Sequence, residues 1–278
     1  MKSLTTRILI GIIGVPAILF LIYLGGIYFL VFLGVVAAIS QHEFYKMFRD
    51  QKQISSYHVH AIILGFLWLS ITYFAPQYFY HAVLFPTLLF LILNLRGDIL
   101  KSTEKFAITV AGYLYIPVLL STLIMLREAG KTTSLSNSES WLLVIILFVT
   151  VWINDTFAFT FGSIFGKHRL APKISPKKSK EGSLAGITGA FLTVFIFYLS
   201  GLLPEFFTIV HVIVLALILG IFPQMGDLTE SMMKRDTGIK DSGVLLLGHG
   251  GVLDRFDAIF LTAPAVYLFI DISLKLIN

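Results

Sequence analysis

Nine apolar stretches occupy most of this chain, at about residues 8–24, 27–40, 61–75, 82–95, 106–126, 141–161, 184–203, 207–222 and 257–277. A run of about 20 apolar residues is the length that crosses a bilayer as a helix. Backbone in hydrocarbon must satisfy its own hydrogen bonds, which a helix does within one segment. The expected fold is therefore all-α: a polytopic integral membrane protein of about nine transmembrane helices. Several stretches fall short of 20 residues, and a bend at Gly25 and Gly26 would merge the first two and leave eight. Composition agrees: 56% of the 278 residues are hydrophobic, 13% are charged, and mean hydropathy is +0.86. A water-soluble core of that composition would leave large apolar patches outside. The spans use most of the length, so no separate soluble domain fits.

Lys2 and Arg7 precede the first stretch as in a secretory signal, but no small-residue cleavage pattern follows, so it is expected to stay as an uncleaved span. With the N-terminus cytoplasmic and nine spans, only Arg127, Lys131 and Lys275 of the 21 Lys and Arg fall on the outer side. That bias follows the positive-inside rule and predicts an N-in, C-out topology. It also explains the net charge of +5 without nucleic acid, because the cations are spread over loops and not gathered on one stripe. The absence of cysteine excludes disulfides, thiolate nucleophiles and iron–sulfur clusters. No internal repeat is evident, and residues 134–140 are expected to form a flexible external loop.

Reactive polar residues are unevenly distributed. Residues 1–140 read as transmembrane scaffold, with an interface role open to them, and residues 141–278 as the catalytic region with cytoplasmic loops. Asp155 interrupts an apolar span; a carboxylate there either faces a cavity or snorkels to the cytoplasmic end. The stretch from Gly166 to Gly182 carries Ser175, Lys177 and Lys178. Such a loop suits phosphate oxygens, and equally the surface of an anionic leaflet. It contains no P-loop pattern.

The densest cluster runs from Gly226 to Asp257. If the Asp227 segment is helical, Asp227 and Ser231 share a face with Lys234 one turn on, while Glu230 points away from it. Asp254 and Asp257 likewise share a face at i, i+3. Oxygen ligands without cysteine favour a hard ion such as Mg²⁺, which commonly uses one or two carboxylates plus substrate phosphates. Lys234, Arg235, Lys240 and Arg255 supply positive charge for the phosphates, and the glycines around His249 allow close backbone approach.

The pattern S-x-x-K-R-x4-K-D-S-G-x-L-x-x-G-H-G-G-x-L-D-R-x-D from Ser231 to Asp257 resembles the signature of the phosphatidate cytidylyltransferase (CDP-diacylglycerol synthase) family. Trp152 with Asp155, and the S-P-K-K-x-x-E-G stretch from Ser175 to Gly182, are similar to that family as well. Leu247 departs from it, standing where the family usually has proline, and Ser179 keeps a hydroxyl where threonine is frequent. The resemblance implies that the phosphate of phosphatidic acid attacks the α-phosphate of CTP, giving CDP-diacylglycerol and pyrophosphate. It implies Asp227 and Asp254 as leading metal ligands, with Asp257 and Asp155 as further ones and Ser231 close by. Lys240, His249 and Arg255 become candidates for the reacting centre, and Ser175, Lys177, Lys178, Lys234 and Arg235 for holding the nucleotide and lipid phosphates. Mg²⁺ is the expected cofactor, with a second, monovalent ion such as K⁺ as an option. The expected partners are CTP, phosphatidic acid and the bilayer, without nucleic acid, and with a homodimer open. The implied location is a bacterial inner membrane with the site facing the cytoplasm. The competing class is a transporter of an anionic solute or ion, which would place its charges near the midplane between related halves.

Overall fold

The computed structural model describes residues 2–96, 99–243 and 250–277. Among them ten α-helices follow one another: α1 (Lys2–Leu24), α2 (Gly26–Lys52), α3 (His58–Phe74), α4 (Phe79–Leu95), α5 (Ser102–Tyr113), α6 (Leu119–Arg127), α7 (Asn137–Phe165), α8 (Lys180–Leu199), α9 (Ile209–Asp236) and α10 (Leu253–Ile277). Helices α5 and α6 continue each other through a π-helical turn, Leu114–Val118, that holds Pro117. Proline cannot donate to the ladder, and one wide turn absorbs the missing bond.

Every expected apolar stretch falls mainly on a helix, although 184–203 runs past the end of α8 at Leu199 and 207–222 begins before α9. Among the described residues six rods are long and apolar enough to cross a membrane: Gly26–Lys52, Ser102–Arg127, Asn137–Phe165, Lys180–Leu199, Ile209–Asp236 and Leu253–Leu276. The three remaining stretches coincide with shorter apolar helices, Gly11–Leu24, His58–Phe74 and Val83–Leu95. The longest of these, His58–Phe74, reaches about 25 Å at 1.5 Å per residue and the other two about 20 Å, short of a hydrocarbon core of about 30 Å. The glycine pair at residues 25 and 26 separates α1 from α2, both residues at positive φ (61° and 56°).

Two local features differ from the sequence reading. The all-α expectation holds except for one antiparallel hairpin, β1 (Arg169–Ala171) with β2 (Ser175–Ser179), pairing Arg169 with Ser179 and Ala171 with Ser175. The segment expected as a flexible loop at 134–140 contains the start of α7: Ser136 caps it, accepting from the Glu139 N–H at 3.2 Å, while its own N–H donates to Glu139 Oε2 at 2.7 Å. That reciprocal pair is a capping box, which closes two donors that a bare helix end would leave open.

By internal contacts the chain divides into two compact units, Met1–Met125 with Lys234–Phe256, and Leu126–Met233 with Asp257–Asn278. Helices α9 and α10 each contribute residues to both. In the first unit α2 is a two-faced rod. Gln41 and Tyr45, one turn apart, look toward α3 and α5: Gln41 Nε2 donates to the Ala61 carbonyl at 3.1 Å and the Tyr45 hydroxyl to the Thr109 carbonyl at 2.8 Å. Glu43, two residues from each, points to the other side of the helix.

In the second unit α7 and α8 pack backbone to backbone. At Gly182 a Cβ would stand 2.6 Å from the Ala158 carbonyl and 2.9 Å from Gly162 Cα, so only glycine permits this approach. Pro223 lies inside α9 and removes the N–H that would bond Leu219 four residues earlier. Asn154 of α7, wholly buried, replaces it: its Nδ2 donates to Leu219 O at 3.0 Å and to Gly220 O at 2.8 Å. Gln224 completes the knot, donating to Ser183 O at 3.0 Å and accepting from the Ser183 hydroxyl. Three helices are thus tied together beside Asp155 and one turn before Asp227.

Candidate active site

In the second unit three charged side chains from three elements converge. Lys178 Nζ of β2 pairs with Asp227 Oδ2 of α9 at 2.6 Å, and Asp155 of α7 lies within electrostatic range of both. Asp155 is exposed on α7. The Ser231 hydroxyl donates to Asp227 Oδ1 at 3.2 Å, as the i, i+4 spacing on α9 anticipated. The hairpin sets the place of Lys178. Its far end is closed by Glu181, whose carboxylate accepts from the Lys167 N–H at 3.1 Å, the His168 N–H and His168 Nδ1 at 2.6 Å. Ser179 caps α8 by accepting from the Gly182 N–H at 3.1 Å, so the motif's hydroxyl has a structural task. Lys177 is exposed on β2 and Ser175 half-buried at its start.

Asp257 belongs to the same unit. Helices α9 and α10 cross where a Cβ on Gly226 would meet the Asp257 carbonyl oxygen at 2.5 Å and Ala258 Cα at 3.0 Å. Asp257 is half-buried at that crossing and accepts from the Ala258 N–H at 2.6 Å.

In the first unit a second acid–base pair is more enclosed. Lys234 Nζ donates to Asp254 Oδ1 at 2.7 Å, with both side chains 10% exposed. Asp254 also accepts from the Ser242 N–H at 3.1 Å and the Gly251 N–H at 2.7 Å. Gly250, at φ 81°, turns the chain so that these donors meet the carboxylate, a conformation few other residues adopt. Arg235, Lys240 and Arg255 are exposed, Arg235 donating to the Ile239 carbonyl at 2.9 Å. His249 and Leu247 lie outside the described residues.

Sequence reasoning passed over Glu43. It is 3% exposed on α2, and its carboxylate accepts from the Val252 N–H at 3.2 Å, the Leu253 N–H at 2.8 Å and the Ser242 hydroxyl at 3.4 Å. A side chain on Gly243 or Gly251 would run into that carboxylate. The available signal was an acid set between buried Gln41 and Phe44, Tyr45, Met47 and Phe48, where an unpartnered charge would be costly. Glu230, expected to point away, stands three residues after Asp227, a spacing that brings helix residues together, and it is 1% exposed, so it is no surface bystander.

The donor set suits a hard divalent ion. Asp155, Asp227 and the Ser231 hydroxyl offer oxygens in one patch, and Asp254 offers a third carboxylate in the other unit. No group of three or more His, Asp or Glu converges among the described residues.

A family model described as "Cytidylyltransferase family" matches residues 5–273. A phosphatidate cytidylyltransferase of Synechocystis is 33% identical over 99% of this chain and 99% of its own length. One of Bacillus subtilis is 31% identical over 97% and 98%. One of Haemophilus influenzae is 43% identical over 44% of this chain and 43% of its own. Matched from end to end by the family model and by full-length relatives, the chain belongs to the cytidylyltransferase family.

Proposed function

We propose that this protein transfers the cytidylyl group of CTP to phosphatidic acid, releasing pyrophosphate and forming CDP-diacylglycerol. The observation that supports it most is the alternation of acids and bases: Lys178 on Asp227 with Asp155 beside them, and Lys234 on Asp254. A reaction between two phosphate esters needs both signs, cations to gather and neutralise phosphates and carboxylates to hold a metal. The lipid phosphate is already a nucleophile, so positioning carries most of the catalysis.

Asp227 and Asp254 are the proposed metal ligands, with Ser231, Asp155 and Asp257 as further oxygens in the unit that holds Asp227. When bound, the ion supplies positive charge to the phosphoryl oxygens. Lys178 and Lys234 orient those carboxylates. Exposed Lys177, Arg235, Lys240 and Arg255 attract the triphosphate and the lipid phosphate, and His249 and Ser175 belong to the same proposed contact set. The spans number nine in this reading, N-terminus inside, in a bacterial inner membrane. The acyl tails stay in the bilayer while the phosphate enters from the cytoplasmic leaflet. Residues 1–140 act as scaffold, with a homodimer among their roles, and 141–278 carry most of the chemistry.

The test is turnover by purified protein in mixed micelles with CTP, phosphatidic acid and Mg²⁺, repeated after exhaustive chelation. CDP-diacylglycerol formed only with the divalent ion is expected. Undiminished turnover after chelation defeats the metal reading, and no product under any condition defeats the activity. Running the assay in K⁺ and in choline buffers tests the second, monovalent ion.

A further inference from the structure

We infer that Glu43, on the second helix and outside every motif of the chain, is a positioning residue that fixes Asp254 by gripping the start of α10. The inference rests on the proposed role of Asp254 as a metal ligand.

Two carboxylates share one short segment. Asp254 takes the N–H of Gly251, and Glu43 takes the next two, those of Val252 and Leu253. Ser242 joins them, its N–H donating to Asp254 and its hydroxyl to Glu43. The peptide groups that orient Asp254 are therefore held on their other side by Glu43. The described partners of Glu43 are all donors, two N–H groups at a helix start and one hydroxyl. The lack of room for a side chain at Gly243 and Gly251 shows how closely both strands of the loop fit around this carboxylate. Glu43 itself is set by the opposite face of α2, where Gln41 and Tyr45 tie the helix to α3 and α5.

Glutamine in place of Glu43 keeps the shape but brings an NH₂ against one of the two backbone donors, so only one can be satisfied. Asp254 should then lose its fixed orientation while its own carboxylate is intact. The experiment compares wild type, Glu43→Gln, Glu43→Asp and Asp254→Asn in detergent. The first readout is hydrogen–deuterium exchange of a peptide covering residues 250–256 in metal-free protein. The second is kcat, KM for phosphatidic acid and the Mg²⁺ concentration giving half-maximal rate. For Glu43→Gln we expect exchange at 250–256 at least about tenfold faster, with the half-saturating Mg²⁺ rising by a similar factor and KM for phosphatidic acid unchanged within about twofold. Glu43→Asp keeps the charge but falls one methylene short, and should lie between. A purely structural role would lower the unfolding midpoint without moving the Mg²⁺ requirement, and that result overturns the inference. If Glu43→Gln does not fold, Glu43→Asp decides: wild-type exchange and Mg²⁺ dependence overturn the inference. Asp254→Asn separates the two levels. Loss of turnover there with an unaffected Glu43→Gln rejects the positioning role alone, whereas a fully active Asp254→Asn removes the reading on which it rests.

Discussion

The buried amide of Asn154 and the proline it compensates make a quantitative prediction. Pro223 leaves Leu219 O without its helical donor, and Asn154 Nδ2 fills that place at 3.0 Å while also reaching Gly220 O at 2.8 Å. A buried hydrogen bond is worth about 1 kcal/mol net, and comparable bonds between transmembrane helices average about 0.6 kcal/mol. Asn154→Ala should therefore destabilise the protein by about 2 kcal/mol, once the small cavity is added. In a Pro223→Ala background the backbone N–H of position 223 can take Leu219 O, so the same substitution should cost about 1 kcal/mol less. The assay is a double-mutant cycle on unfolding by SDS in mixed micelles, followed by circular dichroism. Coupling of about 1 kcal/mol is expected. Equal cost in both backgrounds, within about 0.3 kcal/mol, would show that Asn154 does not replace the missing donor.

Removing Lys234 should be far more damaging than removing Lys178. Lys234→Ala leaves Asp254 enclosed without its cation and should cost about 3 kcal/mol by the same unfolding assay, the low end for a broken buried pair because two backbone donors remain. Lys178→Ala breaks a pair whose members are 27% and 37% exposed, so it should change stability by under about 1 kcal/mol while raising KM for CTP or lowering kcat about tenfold. Unchanged kinetics would make the hairpin a topology signal only. Asp227→Asn and Asp254→Asn should each abolish most turnover at limiting Mg²⁺, and the double variant should lose little more, as jointly required groups do. Additive losses would place the two carboxylates in separate tasks. Ser136→Ala removes the cap of α7 and should lower stability by about 1 kcal/mol with kcat unaltered.

Hydropathy alone locates, among the described residues, every helix long and apolar enough to cross a bilayer, because in lipid the backbone has almost no alternative to the helix. It does not set their ends. The stretch expected to stop at residue 40 continues to Lys52, since Gln41, Glu43 and Tyr45 find buried partners that hydropathy cannot foresee. The hairpin at 169–179 was equally hidden, its strands being too short and too cationic to show alternation. For the site, local spacing was informative: Asp227 with Ser231 on α9 follows directly from helical geometry. Long-range pairs were not. Lys178 meeting Asp227 and Glu43 meeting Val252 and Leu253 depend on how distant segments pack, and a linear pattern carries no distance between them.

The most direct measurement follows the label of CTP radiolabelled at the α- or the γ-phosphate, with purified protein, phosphatidic acid and Mg²⁺. Expected is α-label in a lipid that co-migrates with CDP-diacylglycerol, and γ-label only in pyrophosphate. Label from the γ-position in lipid, or α-label that never leaves the water-soluble nucleotide, would contradict cytidylyl transfer by this chain.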